Sequence, residues 1–134
     1  MRSTSFLNLL LALCTAACST QPDGSLKGGW ASDQVSLTVT DSGANLQLLA
    51  SGGCFGSYGQ IPEAISEGQF STTGTYTQLI GAYPGKVDYP AQYSGRVNGP
   101  DLVLTISVPT LPLTIGPVHL TAGRMHHWEA CRYP

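Results

Sequence analysis

Charge is scarce in this chain. Only 10% of its 134 residues are Asp, Glu, Lys or Arg, and the six Lys and Arg are scattered. No basic run exists and no cations interleave with aromatics, so nucleic acid is excluded as a partner, because a phosphate backbone needs clustered positive charge. Helical periodicity is missing too. After residue 20 no stretch carries a sustained helical spacing of apolar residues between capping residues. No apolar run reaches the roughly 20 residues of a membrane-spanning helix. Low-complexity sequence and any sign of a second domain are likewise absent. There is no Cys-x-x-Cys, and Ser57 of "GSYG" (56–59) lacks the glycine two residues ahead that a nucleophile elbow requires. The carboxylates Glu63, Glu67, Asp88 and Glu129 are scattered over turns and loops, where they are solvated rather than paired for acid–base work. Neither an enzyme nor a bound cofactor is expected.

Histidine is short as well, and "MHHWE" (125–129) is the only cluster with metal-ligand chemistry. On a strand His127 and Glu129 share one face while His126 and Trp128 share the other. A zinc site wants three or four ligands, and only His119 could join from a neighbouring strand. The expectation is strand histidines beside a packed Trp and no metal.

The first twenty residues carry a different message. Met1-Arg2-Ser3-Thr4-Ser5 supplies one positive charge, Phe6–Leu13 a short apolar run and Thr15-Ala16-Ala17 a small-residue cleavage region, the three parts of a secretory signal. Thr15-Ala16-Ala17-Cys18 resembles a bacterial lipobox, with Thr15 where Leu is usual. The resemblance implies that Cys18 is diacylated and becomes the first residue, and that residues 1–17, Cys14 included, are removed. Bulky Leu13 before Cys14 rules that cysteine out. Two or three acyl chains hold a bilayer far more firmly than one, at about 0.8 kcal/mol per buried CH₂. Residues 18–27 lack apolar periodicity, carry turn formers and are expected as a flexible tether. Ser19 rather than Asp after the cysteine implies, by the same resemblance, the periplasmic face of the outer membrane. Ordinary cleavage after Ala16 or Ala17 is the rival, giving a soluble exported protein.

Arg2 is the one charge ahead of Cys18, which leaves five Lys and Arg against eight Asp and Glu in a mildly acidic remainder of single-domain size. Its two cysteines, Cys54 and Cys131, form an even pair in an oxidising compartment and are expected to be bonded. Closing so long a loop stabilises by about 4 kcal/mol on the chain-entropy model.

Period-two alternation dominates residues 28–134. Val35-Leu37-Val39, Phe70-Thr72-Gly74-Tyr76, Tyr93-Gly95-Val97 and Leu102-Leu104-Ile106-Val108 each occupy one face of a strand. Turn signals such as Asp41-Ser42-Gly43 and Asn98-Gly99-Pro100-Asp101 separate them. About eight short antiparallel strands follow, and closing the sheet removes its edges, so an all-β up-and-down barrel is expected ahead of a β-sandwich. Gly74 and Gly95 lie mid-strand, where barrel corners and bulges are the usual cause. The stretch "RMHHWEACRY" (124–133) is expected to end the domain as its last strand.

Gly28-Gly29-Trp30 and Arg124 resemble the Gly-x-Trp start and late Arg of calycin barrels, the lipocalins and avidins; that resemblance implies an Arg124 packed over Trp30. Across residues 26–132, "GGWASDQVSLTVTDSGANLQL", Cys54, "GQFSTTGTY", "PAQYSGRVNG", "LVLTISV" and Cys131 resemble a family of small exported bacterial proteins of unknown function. Its members often flank the first cysteine with acidic and histidine residues; Gly53 precedes Cys54 here. The resemblance implies the barrel and the disulfide, and no activity. Ser51-Gly52-Gly53-Cys54-Phe55 approaches the Ser-Gly-x-x-Tyr of small lipid-anchored lysozyme inhibitors but lacks the Tyr.

For binding, the loop "IGAYPGKVDYPAQY" (80–93) offers Tyr83, Tyr89 and Tyr93, stiff side chains that make contacts at low entropic cost. Together these features point to a lipid-anchored, non-catalytic, monomeric envelope protein. It would meet the membrane through its N-terminal lipid and a small ligand or protein through its loops. A purely structural or interaction lipoprotein is the alternative.

Overall fold

A computed structural model describes residues 26–65, 68–80 and 85–131. Eight strands, β1 (Gly28–Ala31), β2 (Val35–Val39), β3 (Ala44–Leu49), β4 (Phe55–Ile61), β5 (Gln69–Leu79), β6 (Lys86–Asn98), β7 (Asp101–Val108) and β8 (Leu113–Ala122), pair with their sequence neighbours, all antiparallel. β8 then pairs with β1 through Trp30↔Ala122 and Ala31↔Thr121, closing the sheet. The all-β up-and-down barrel is therefore observed and the sandwich is not. No helix occurs among the described residues.

The alternation that specifies the strands also fixes which face is inside. Leu102, Leu104, Ile106 and Val108 are each 0% exposed, and Val103, Thr105 and Ser107 between them face out. Leu37 sits between Trp30 on one neighbour and Leu46 on the other, all three buried. A one-residue slip would turn every such side chain to the wrong face, so the apolar pattern locks the register. At the tight turn between β6 and β7, Gly99 takes a φ of +62°, a conformation that glycine adopts without a Cβ penalty.

The barrel has two unlike ends. The chain enters at one of them, which also holds the β2–β3, β4–β5 and β6–β7 connections. There Leu26 (1% exposed) and Ile65 (8%) join the core, and the indole N–H of Trp30 donates to the Leu26 carbonyl at 2.8 Å. The folded unit thus begins at least two residues inside the stretch expected as a tether, because an apolar side chain is needed to cover this end. The far end holds the β1–β2, β3–β4, β5–β6 and β7–β8 connections.

The tail is not the final strand. Residues 123–131 leave β8 after the cylinder has closed, and only Ala130 makes a bridge, parallel to Phe55. The segment crosses the outer wall as a strap. Gly123 N–H donates to Gly29 O, His126 meets Ser36, Trp128 N–H reaches Gln47 Oε1, and Phe55 exchanges two backbone bonds with Glu129 and Cys131. It therefore passes over β1, β2, β3 and β4 in turn. Ala31 and Ser36 on the wall beneath it are buried, and their small side chains let the strap lie close.

Candidate functional site

The barrel interior is occupied by side chains. Tyr93 is central: it is 0% exposed on β6, and its hydroxyl donates to the Thr75 carbonyl on the neighbouring strand. Its phenol lies where a Cβ at Gly59 would stand, while at Gly74 a Cβ would first meet the Gln60 backbone carbonyl and then the edge of the Tyr93 ring. Gly95 leaves room for the Phe70 ring. Ring packing explains Gly95, and close approach of the β4 backbone at Gln60 explains Gly74. Burial, reinforced by the nearby Tyr76, pushes the Tyr93 phenol well above the usual tyrosine range. Tyr93 is consequently a core residue and not a contact residue of a binding loop. Tyr89, also on β6, packs half-buried against the core, and Tyr83 lies outside the described residues.

The other expected positions are met as follows. Cys54 and Cys131 are joined in a disulfide with Cα atoms 4.9 Å apart and a sequence separation of 77. The bond fastens the strap to the start of β4; it does not lie on a closing strand, since β8 already performs that closure. Trp30 packs in the core. Arg124 is exposed and its guanidinium reaches Asp33 Oδ1 at 3.2 Å, and a Cβ at Gly29 would meet the Met125 side chain and the Arg124 carbonyl. Cys18 lies outside the described residues.

On the strap, the His126 and Trp128 rings stack with centroids 4.8 Å apart and planes 15° from parallel. Phe55 and Tyr58 meet edge-on nearby on β4. His127 and Glu129 are exposed on either side of Trp128. Among the described residues no three His, Cys, Asp or Glu side chains converge in a metal-binding group.

The far end presents a surface that tyrosine counting missed. Ile80 is 48% exposed just past β5, and its N–H donates to Gly85 O at 3.0 Å, extending the β5–β6 hairpin beyond its strands. Beside it Leu48, Leu49, Ser57, Tyr76 and Leu79 line an open, shallow groove. The sequence signal was present in "TQLIGAY" (77–83), where two aliphatic residues in succession break the alternation of β5 before a glycine. No protein-family model, curated protein or solved structure matches the chain.

Proposed function

We propose that this chain is an exported, non-catalytic binding module, held on the cell envelope by a lipid on Cys18 and presenting the far end of its barrel to a protein partner. The observation that carries the reading is the opposition of the two ends. The chain enters beneath the end that Leu26 and Ile65 cover, while exposed Ile80 and its groove lie at the other. From Cys18 to Leu26 a fully extended tether spans about 27 Å, so a lipid there joins the bilayer to the entry end of the barrel. Side chains fill the interior, which favours a surface partner over a ligand stored within the barrel.

Two measurements test this. Intact mass of protein purified from membranes should show an acylated N-terminus at Cys18, and Cys18→Ser should shift the protein out of the membrane fraction. An unmodified N-terminus near residues 17–19 would overturn the anchor. A photo-crosslinking side chain at position 80 should capture a discrete partner in cells, whereas one at exposed Thr73 on the outer wall should not. Equal capture at both positions, or none at position 80, would overturn the binding face.

A further inference from the structure

The cylinder of strands closes through Trp30↔Ala122 and Ala31↔Thr121, with Gly123 N–H to Gly29 O as the last bond of that seam, so the closure does not draw on residues 124–131. Gly123 N–H to Gly29 O at 2.9 Å and the exposed Arg124–Asp33 ion pair at 3.2 Å hold the strap at its start. Ser36 Oγ accepts from the His126 N–H at 3.0 Å and donates to the His126 carbonyl at 3.2 Å. Trp128 N–H to Gln47 Oε1 is long at 3.4 Å. Phe55 N–H to Glu129 O and Cys131 N–H to Phe55 O are 3.0 Å each. Arg124, Met125, His127 and Glu129 are exposed, and His126, Trp128 and Ala130 half-buried, so Cys131 is the only fully buried side chain of the strap.

Hydrogen bonds of this kind contribute little net stability, because the same groups bond to water when released. Ordering each strap residue costs a comparable amount of conformational entropy. This entropy offsets part of what the non-covalent contacts contribute, and the covalent link at Cys131 fastens the strap beyond them. The other end has a pivot: Gly123 takes a φ of +80°, which its lack of a Cβ permits.

We propose that the Cys54–Cys131 disulfide is a releasable clasp, whose two-electron reduction by a dithiol frees the strap from the outer wall while the barrel stays closed. Attack falls on Cys54, which is half-buried beside the exposed turn at residues 51–53, whereas Cys131 is buried. A thiolate of the dithiol bonds to Cys54 Sγ, the bond to Cys131 breaks, and Cys131 leaves as a thiolate that takes up a proton. The second thiol of the dithiol then attacks the mixed disulfide and releases Cys54. The dithiol is oxidised to its disulfide and the protein holds two thiols. Release uncovers Ala31 and Ser36 and frees the Ser36 hydroxyl and the Gln47 amide. Together they form a trough already shaped for an extended polypeptide backbone. The inference does not rest on the lipid anchor or on the far-end binding face.

Hydrogen exchange read by mass spectrometry on the full chain tests it, comparing oxidised protein, the same protein reduced with dithiothreitol, and the Cys54→Ala/Cys131→Ala variant. In both thiol-reduced and variant protein, the amides of Phe55, His126, Trp128 and Cys131 should lose protection while those of β6 and β7 keep it. Trypsin should cut after Arg124 rapidly in reduced protein and slowly in oxidised protein. Strap amides that stay protected after reduction would overturn the clasp. So would loss of protection in β6 and β7 together with the strap, since the bond would then hold the whole barrel.

Discussion

One phenol organises the interior. The Tyr93 hydroxyl, buried and bonded to Thr75 O, sits in a space that Gly59 leaves open. Tyr93→Phe keeps the ring and removes the bond, so it should cost about 1 kcal/mol in denaturant unfolding. The same residue sets an alkaline limit. Its folded-state pKa is raised above the ordinary value of 10.0, first by burial and then by Tyr76. The folded chain therefore holds the proton more tightly than the unfolded chain. Its contribution is fully present below about pH 10 and is lost as pH climbs beyond that. Stability measured from pH 8 upward should fall past pH 10 in the wild type, and this limb should flatten in Tyr93→Phe. An identical slope in both would separate Tyr93 from the effect. Mid-strand glycines were visible in the sequence, but a ring that reaches across two strands to Gly59 is a long-range fact that local spacing does not carry. Pro90 also disguised the position by making "DYPAQY" resemble a loop. It is tolerated inside β6 because pairing with β7 begins only at Gln92, leaving Pro90 a strand neighbour on one side alone.

At the level of elements, legibility followed the strength of the alternation. β2 and β7 could be read directly, since Val35, Leu37 and Val39, and Leu102, Leu104, Ile106 and Val108, put an unbroken apolar series on one face. The strap could not. Its alternating positions pair His126 with Trp128 and His127 with Glu129, polar groups on both faces. Period two there marks an extended chain without telling which wall it lies on. Leu26 was missed for the opposite reason: a single apolar residue among turn formers has no period at all. The disulfide was legible because counting cysteines does not require knowing the topology, and its role was not. Removing it with Cys54→Ala/Cys131→Ala takes a cross-link spanning 77 residues away from the unfolded chain as well as freeing the strap. Global stability should fall by roughly 2–4 kcal/mol. The thermal midpoint should drop by roughly 10–20 °C at the usual conversion for a domain of this size. Calorimetry of the variant should still give one cooperative transition, because the strand closure at Trp30↔Ala122 and Ala31↔Thr121 survives. A broad or absent transition would mean that the barrel needs the bond to form.

For the whole molecule, the decisive property is a closed barrel whose described inward-facing side chains are buried against one another. Calycin barrels, which the Gly-x-Trp start resembles, include lipocalins, whose eight strands enclose a ligand. Here Leu37, Tyr93, Leu104 and Ile106 are at most 1% exposed within the same cylinder, and Leu26 and Ile65 cover its entry end. The strand count is shared, but the filling differs, because rings seated over glycines occupy the middle. An apolar fluorescent probe such as a dansylated fatty acid should accordingly show no saturable binding to the wild-type protein. Leu104→Ala provides the matching positive case, since Leu104 is 0% exposed between Gly95 on β6 and Val118 on β8. Deleting a core leucine costs roughly 2–5 kcal/mol and leaves a cavity where the neighbours cannot collapse. Apolar cavities of this kind stay dry and take up xenon or benzene. Benzene should therefore raise the thermal midpoint of Leu104→Ala and leave that of the wild type unchanged. Saturable fatty-acid binding by the wild type would show that the interior opens after all.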